Sequence, residues 1–409
     1  MKAFRSLLAG LSLSVGYATA FADVPPTAPT HHVPWIAEVQ PGNASPEDHT
    51  RLSTLLTKPD GSPVASKEEW QVQRQRIATW WMNFLGVPER DPNRPLATMK
   101  VLQTEETDGV VRKLIRYDTP GDWPTEAYLL FPSGCRPLES EDTLLPAVVV
   151  FHSTTNDTIR QPAGLTAETT KAFGLQLAKR GYVTLSPRCY LWSEGPPYDY
   201  QAQVRRFQQM FPGAKGMAKM IVDGMAAVDL LTSLPGIDRA RIGAIGHSLG
   251  GKEVLYLAAF DERIRATISS EGGIGISFSN WDAPWYLGSE VREAGFPHDH
   301  HELLALIAPR AFLLIGGNSA DGDKSLPYLQ SAWDIYRLFT DQPALGLWNH
   351  RQGHTVPTDA EKRIAEWFDV YLSRVAVGAF KEQRIGKVSK KKPHQDRTDQ
   401  GAAHSLGDN

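Results

Sequence analysis

The chain has 409 residues, 41% of them hydrophobic and 22% charged, which is enough for one large core with a small appendage. A formal net charge of −3 supplies no broad positive field, so recruitment of nucleic acid or of an anionic membrane is not expected. The one basic cluster, Lys387 to Lys392, falls in a polar stretch (379–409) that reads as a solvated, disordered tail.

Met1-Lys2-Ala3-Phe4-Arg5 is a short basic start, and Leu7 to Val15 is an apolar run too short to span a bilayer. Small residues at Ala18, Ala20 and Ala22 offer cleavage positions, so residues 1–22 are expected to be a secretory signal peptide. The mature chain would start near Phe21 or Asp23, in a bacterial periplasm or outside the cell, with no membrane insertion once the signal is removed. Residues 23–98 are expected to form an arm and a helix laid on the main domain. The arm lacks clean periodicity. The helix covers Glu68 to Leu85, with Trp70, Ile77, Trp80, Trp81 and Phe84 near helical spacing. Ser66 ahead of Glu69 suggests a capping box, and Gly86 and Pro88 close the helix.

The main domain is expected over 99–378. Met99–Gln103, Val110–Tyr117 and Thr125–Phe131 read as antiparallel strands separated by turns. Leu145 to His152 is a continuous apolar run, the mark of a strand buried on both faces. Helices and strands then alternate. Helical runs at 165–180, 217–233, 252–260, 303–307, 332–339 and 359–374 interleave with strand-like runs at 182–186, 241–245, 264–269, 311–315 and 345–348. This is the pattern of an α/β protein with a mostly parallel central sheet and helices on both faces, in the α/β-hydrolase layout. Two long connections, 187–216 and 272–300, follow sheet strands and should lie at the carboxyl edge, where open α/β sheets bind ligands.

Gly246-His247-Ser248-Leu249-Gly250 is a G-x-S-x-G between an apolar strand-like run and a helix-like one, the context of a nucleophile elbow. A serine nucleophile needs a base, and the base needs an orienting carboxylate. His354, after the last strand and before the final helix, is the expected base; His350, nearer the strand end, is expected to pack or cap. For the acid, Asp321 follows the 311–315 strand at the usual position of the fold, Asp323 lies two residues on, and Glu271 follows the 264–269 strand. The oxyanion hole would take the N–H of Leu249 and a second N–H from Ser153 or Thr154 in the loop after His152. Such chemistry asks for no cofactor and none is expected. No metal is expected either, because the His298-Asp299-His300-His301 cluster fits no common ligand spacing. Cys135 and Cys189 are left open between a disulfide and two buried thiols. The long loops carry aromatic residues beside polar ones, among them Trp192 and Trp285, which suit the flat faces of sugar rings.

These residues resemble a known group. From about residue 144 to 375 the chain is similar to α/β-hydrolases of the dienelactone hydrolase and acetyl xylan esterase type, and to the glucuronoyl esterases. The likeness to the last rests on Gly246-His247-Ser248-Leu249-Gly250-Gly251-Lys252, on Glu271, on the segment His298 to Arg310, and on Gly353-His354 followed by Pro357. It implies a carboxylester hydrolase acting on a small-molecule or polysaccharide ester, with Glu271 as an acid and Lys252 touching substrate hydroxyls. The departures are Leu249, where that family keeps an arginine that supports the oxyanion, and His247, where it keeps a cysteine. A lipase or peptidase-type acyl hydrolase, or a binding protein that kept the fold without the chemistry, are the alternatives.

Overall fold

The computed structural model describes residues 27–42, 52–88, 98–121, 123–140 and 144–373. The expected signal peptide and the polar tail lie outside these residues. Among them are nine strands: β1 (Lys100–Thr107), β2 (Val110–Thr119), β3 (Trp123–Pro132), β4 (Leu145–Phe151), β5 (Val183–Pro187), β6 (Ile237–His247), β7 (Ile264–Ser270), β8 (Ala311–Gly316) and β9 (Leu345–Asn349). They form one sheet in the order β1-β2-β3-β5-β4-β6-β7-β8-β9. The first three strands are antiparallel, β3 meets β5 antiparallel, and from β5 to β9 every pairing is parallel. The α/β-hydrolase layout expected from the alternation is therefore present.

Burial on both faces explains why the central strands read as unbroken apolar runs. Along β4, Ala147, Val149 and Phe151 enter the core on one side of the sheet, while Val148 and Val150 enter the core on the other. The helices divide in the same way. α1 (Ile36–Val39), α3 (Phe173–Lys179) and α9 (Ala360–Tyr371) bury side chains with Val148 and Val150. α2 (Lys67–Leu85), α5 (Gly216–Ser233), α6 (Leu249–Phe260), α7 (His301–Ile307) and α8 (Leu326–Arg337) bury theirs with Val149. Strand order reverses at β4, with α3 crossing to β5 on one face and α5 crossing back to β6 on the other. The carboxyl ends of β4 and β6 thus border a crevice.

Local signals account for the element ends. Ser66 caps α2, its Oγ accepting from the Glu69 N–H at 3.2 Å, and Gly86 ends it in the left-handed region at φ 63°. Two expectations change. The helical run at 165–180 shrinks to α3, preceded by a short 3₁₀ turn at Thr169–Lys171. Thr166, Thr169 and Thr170 are β-branched and favour that looser turn over an α-helix. The 187–216 connection holds a helix of its own, α4 (Tyr200–Met210), capped by Asp199 and seated by buried Val204 and Phe207. Both cysteines are free thiols.

A buried ion pair within α5 ties that helix to β2. The fully buried Lys219 ammonium meets Asp223 one turn on, and donates to Thr119 Oγ1 at 2.9 Å. Burial pushes the Asp223 carboxyl up and the lysine down, and the attraction between them opposes both shifts. Removing one partner strands the other charge in the core. Asp223→Ala is expected to lower the unfolding free energy by about 4 kcal/mol, read from the urea midpoint, whereas Lys219→Met with Asp223→Leu should lose far less. Equal losses in the two proteins would refute this account of the pair.

Candidate active site

Ser248 joins β6 to α6 at φ 59° and ψ −114°, a region that non-glycine residues rarely occupy. The turn is this tight because the backbone at both flanking glycines is in near contact. A Cβ on Gly246 would come within 2.3 Å of the Gly250 carbonyl carbon, and one on Gly250 within 2.5 Å of Phe151 O. The Ser248 N–H is anchored to Ser270 O at 2.8 Å. Its hydroxyl stands at the N-terminus of α6, where the first peptide N–H groups have no partner within the helix.

The Ser248 Oγ lies 2.9 Å from His354 Nε2, and His354 Nδ1 lies 3.0 Å from Glu271 Oε2. Glu271 sits one residue past the end of β7 in the left-handed region at φ 50°, a second strained backbone in the same site. Its N–H donates to Ile315 O at 2.8 Å. Its carboxylate, 1% exposed, also accepts peptide N–H groups from Gly317, from Ala320 at 2.7 Å and from Asp321 at 3.4 Å. Burial works against the charged form, but the His354 bond and the peptide donors outweigh it and hold the carboxyl below its ordinary range.

Asp321, the first expectation for the orienting acid, is directed elsewhere. Its buried carboxylate accepts from the N–H groups of Gly273 at 2.6 Å and Ile274 at 2.8 Å, and from Ser325 Oγ at 2.9 Å. The two acids clasp each other's loops. Glu271 gathers N–H groups from 317–321, and Asp321 gathers them from the turn just after Glu271. Asp323 is exposed and pairs with Arg351 at 3.1 Å. His350 packs and caps as expected, accepting from the Gln352 N–H at 3.1 Å.

The loop after β4 is held by a histidine that the sequence reading passed over. His152 Nε2 accepts from the Cys189 N–H at 3.1 Å, so its proton is on Nδ1, which donates to Ser153 O at 2.7 Å. Burial pushes this imidazole down to about 4 and keeps it neutral. Ser153, expected to lend its N–H to an oxyanion, already donates it to Gln161 Oε1 at 3.0 Å. The next residue, Thr154, is exposed. Leu249 is 1% exposed, so its side chain brings nothing polar to the site and only its N–H is available there.

Lys252 is not solvated, although it stands in the first turn of α6. Its Nζ donates to Ser279 Oγ at 2.7 Å and lies 3.9 Å from the centroid of the buried Trp281 ring. Burial brings its ammonium down to about 7. Trp192 is 1% exposed and packs on His152 and Tyr200 with centroids 5.2 and 4.7 Å away, so it anchors its loop and offers no open face. Trp285 is half-buried, edge-on to Tyr200 at 5.8 Å. The His298–His301 cluster disperses. His298 bonds Glu302 and stacks on Trp80, His300 joins Ile274 O to the Tyr256 hydroxyl, and His301 bonds Ser53. Among the described residues, no group of three or more His, Cys, Asp or Glu side chains is arranged to hold a metal.

The model of the dienelactone hydrolase family matches residues 137–282. The chain is 24% identical to a 4-O-methyl-glucuronoyl methylesterase of Hypocrea jecorina, over 68% of this chain and 59% of that protein. It is 25% identical to one of Schizophyllum commune, over 67% of this chain and 69% of the relative. Among solved structures it resembles a glucuronoyl esterase from Solibacter usitatus with a TM-score of 0.60 at 19% identity, over 82% of this chain and all of the other. A Paenibacillus acetyl xylan esterase superposes with a TM-score of 0.51 at 16% identity, over 83% of this chain and all of that one. The chain has the α/β-hydrolase fold, and in sequence and structure it resembles dienelactone hydrolases, acetyl xylan esterases and glucuronoyl esterases.

Proposed function

We propose that the protein is a serine carboxylester hydrolase acting on carbohydrate-linked esters, with Ser248 as nucleophile, His354 as base and Glu271 as the acid that orients it. The observation that carries this reading is the unbroken hydrogen-bond chain from Ser248 Oγ through His354 to Glu271. In the first step Oγ bonds to the ester carbonyl carbon while His354 Nε2 takes the hydroxyl proton. The carbonyl oxygen becomes an oxyanion facing the N–H groups of Leu249 and, in place of the occupied Ser153 donor, Thr154. The C–O bond then breaks, and the imidazolium returns its proton to the departing alcohol. Water repeats the sequence on the acyl-serine, releasing the acid and restoring Ser248. Glu271, ionised and buried, stabilises the imidazolium in both halves.

Glucuronate esters are the first substrates to try, since the relatives named above are glucuronoyl methylesterases and Lys252 occupies the place of a substrate-contacting lysine in that group. Leu249 takes away an arginine at the oxyanion, which keeps acetyl esters on xylan as the second substrate class. Half-buried Trp285 is the aromatic face left for a sugar, because Trp192 is packed away. Polymeric esters lie outside the cell, in keeping with the export expected from residues 1–22. Among the described residues, no helix is long and apolar enough to cross a membrane.

Catalysis, substrate binding and export each test these assignments. On a panel of glucuronate esters, acetylated xylan, aryl acetates, long-chain esters and peptides, Ser248→Ala should abolish turnover and fluorophosphonate labelling while the protein still folds. In the same assay Glu271→Gln should lower kcat by about 10³–10⁴, and Asp321→Asn by only about tenfold, because it loosens the loop but leaves the Glu271 carboxylate in place. The reverse ranking would return the triad to Asp321, and peptides or long-chain esters as the best substrates would favour the other acyl hydrolases. For binding, the Lys252 ammonium is charged below about 7 and neutral above. If it binds substrate as a cation, KM should rise on the alkaline side of that value, and Lys252→Met should show a raised KM without that rise. A KM that is flat in the wild type excludes the role. For export, N-terminal sequencing of the protein recovered outside the cytoplasm should start near Phe21 or Asp23, and an intact Met1 would refute cleavage.

A further inference from the structure

The base is held at its two nitrogens. Ser248 Oγ lies 2.9 Å from Nε2, and Glu271 Oε2 lies 3.0 Å from Nδ1. The side chain turns about its Cα–Cβ and Cβ–Cγ bonds, and either turn would carry both nitrogens off their partners. The side chain is 43% exposed, so solvent does not prevent that turning. What lies against the ring is a second imidazole. The His247 centroid is 4.8 Å from that of His354, with the planes tilted by 47°.

His247 ends β6, immediately before the nucleophile, and is 1% exposed. Its Nδ1 is 3.0 Å from Ser270 Oγ. The carbonyl of that same serine receives the Ser248 N–H, and the next residue is Glu271. Its Nε2 is buried without a hydrogen-bond partner among the described residues. The charges that bear on His247 are Lys171, from the turn before α3, and His354 and His350, from the loop after β9. Together with burial they all disfavour a proton on it. The ring beside the base is therefore neutral when the base becomes cationic.

We propose that His247 is a positioning residue, a buried aromatic buttress whose packing stops His354 from swinging out of line with Ser248 and Glu271. This rests on the triad reading above, and the test separates the two. Steady-state kinetics are measured on the purified full chain for Ser248→Ala, His247→Ala, His247→Phe and His247→Val, using an ester that the wild type hydrolyses. His247→Ala is expected to lower kcat ~10-fold or more with KM nearly constant. His247→Phe should restore most of kcat, since the face is covered again. Should His247→Ala fail to fold, His247→Val, which fills part of the site without presenting a ring, should show the same split of kcat against KM. Wild-type kcat in His247→Ala, a loss that Phe does not restore, or wild-type kcat in His247→Val where it stands in for an unfolded His247→Ala would each overturn the buttress. Turnover that survives in Ser248→Ala would instead overturn the triad reading itself.

Discussion

Everything at this site hangs on one buried carboxylate. Glu271 leaves the sheet at the end of β7 in a strained backbone, and its charge is held by a ring of peptide N–H groups as well as by the imidazole. A lone carboxylate in such a position would be neutral. The 316–321 loop makes it an anion by aiming several N–H dipoles at it, and that loop keeps its shape because Asp321 ties it back to the residues after Glu271. The strain in the backbone, the burial and the charge are parts of one arrangement, and none would persist without the others.

The fold was legible because its signals are long and redundant. The run at 145–152, buried on both faces, could be little other than a central strand, and the alternation after it set the parallel sheet. The elbow was legible for a related reason: two glycines flanking a serine answer to backbone contacts of 2.3 and 2.5 Å that no side chain would survive. The choice of acid was not. Asp321 and Glu271 both follow parallel strands in glycine-rich loops, and sequence spacing carries no information on which way either carboxylate turns. That direction is set by hydrogen bonds between loops about fifty positions apart.

Other misses have the same origin. Lys252 looks like any first-turn lysine until Trp281 and Ser279 close over it, and Trp192 looks like a sugar platform until Tyr200 and His152 cover it. His152 and His247 stand next to the strand ends that the sequence identified, yet what they bond is contributed from elsewhere in the chain, Cys189 just past β5 and Ser270 at the end of β7. A local signal did exist for α4, in Asp199 ahead of Val204 and Phe207, but it was masked by the length of the connection around it.

The close approach of two glycines has a wider meaning. Gly353 donates to Gly317 O at 2.8 Å, His350 donates to Gly316 O at 2.8 Å, and a Cβ on Gly317 would come within 1.9 Å of Gly353 O. The loop that carries His354 and the loop that donates to Glu271 are thereby welded, backbone to backbone, into an extension of the sheet. Lengthening either loop would have to break that weld, whereas residues can be inserted farther out in 187–216 and 272–300, past the ties that Cys189 makes to His152 and that Gly273 and Ile274 make to Asp321. The proposed triad is thus insulated from changes of length in those distal stretches.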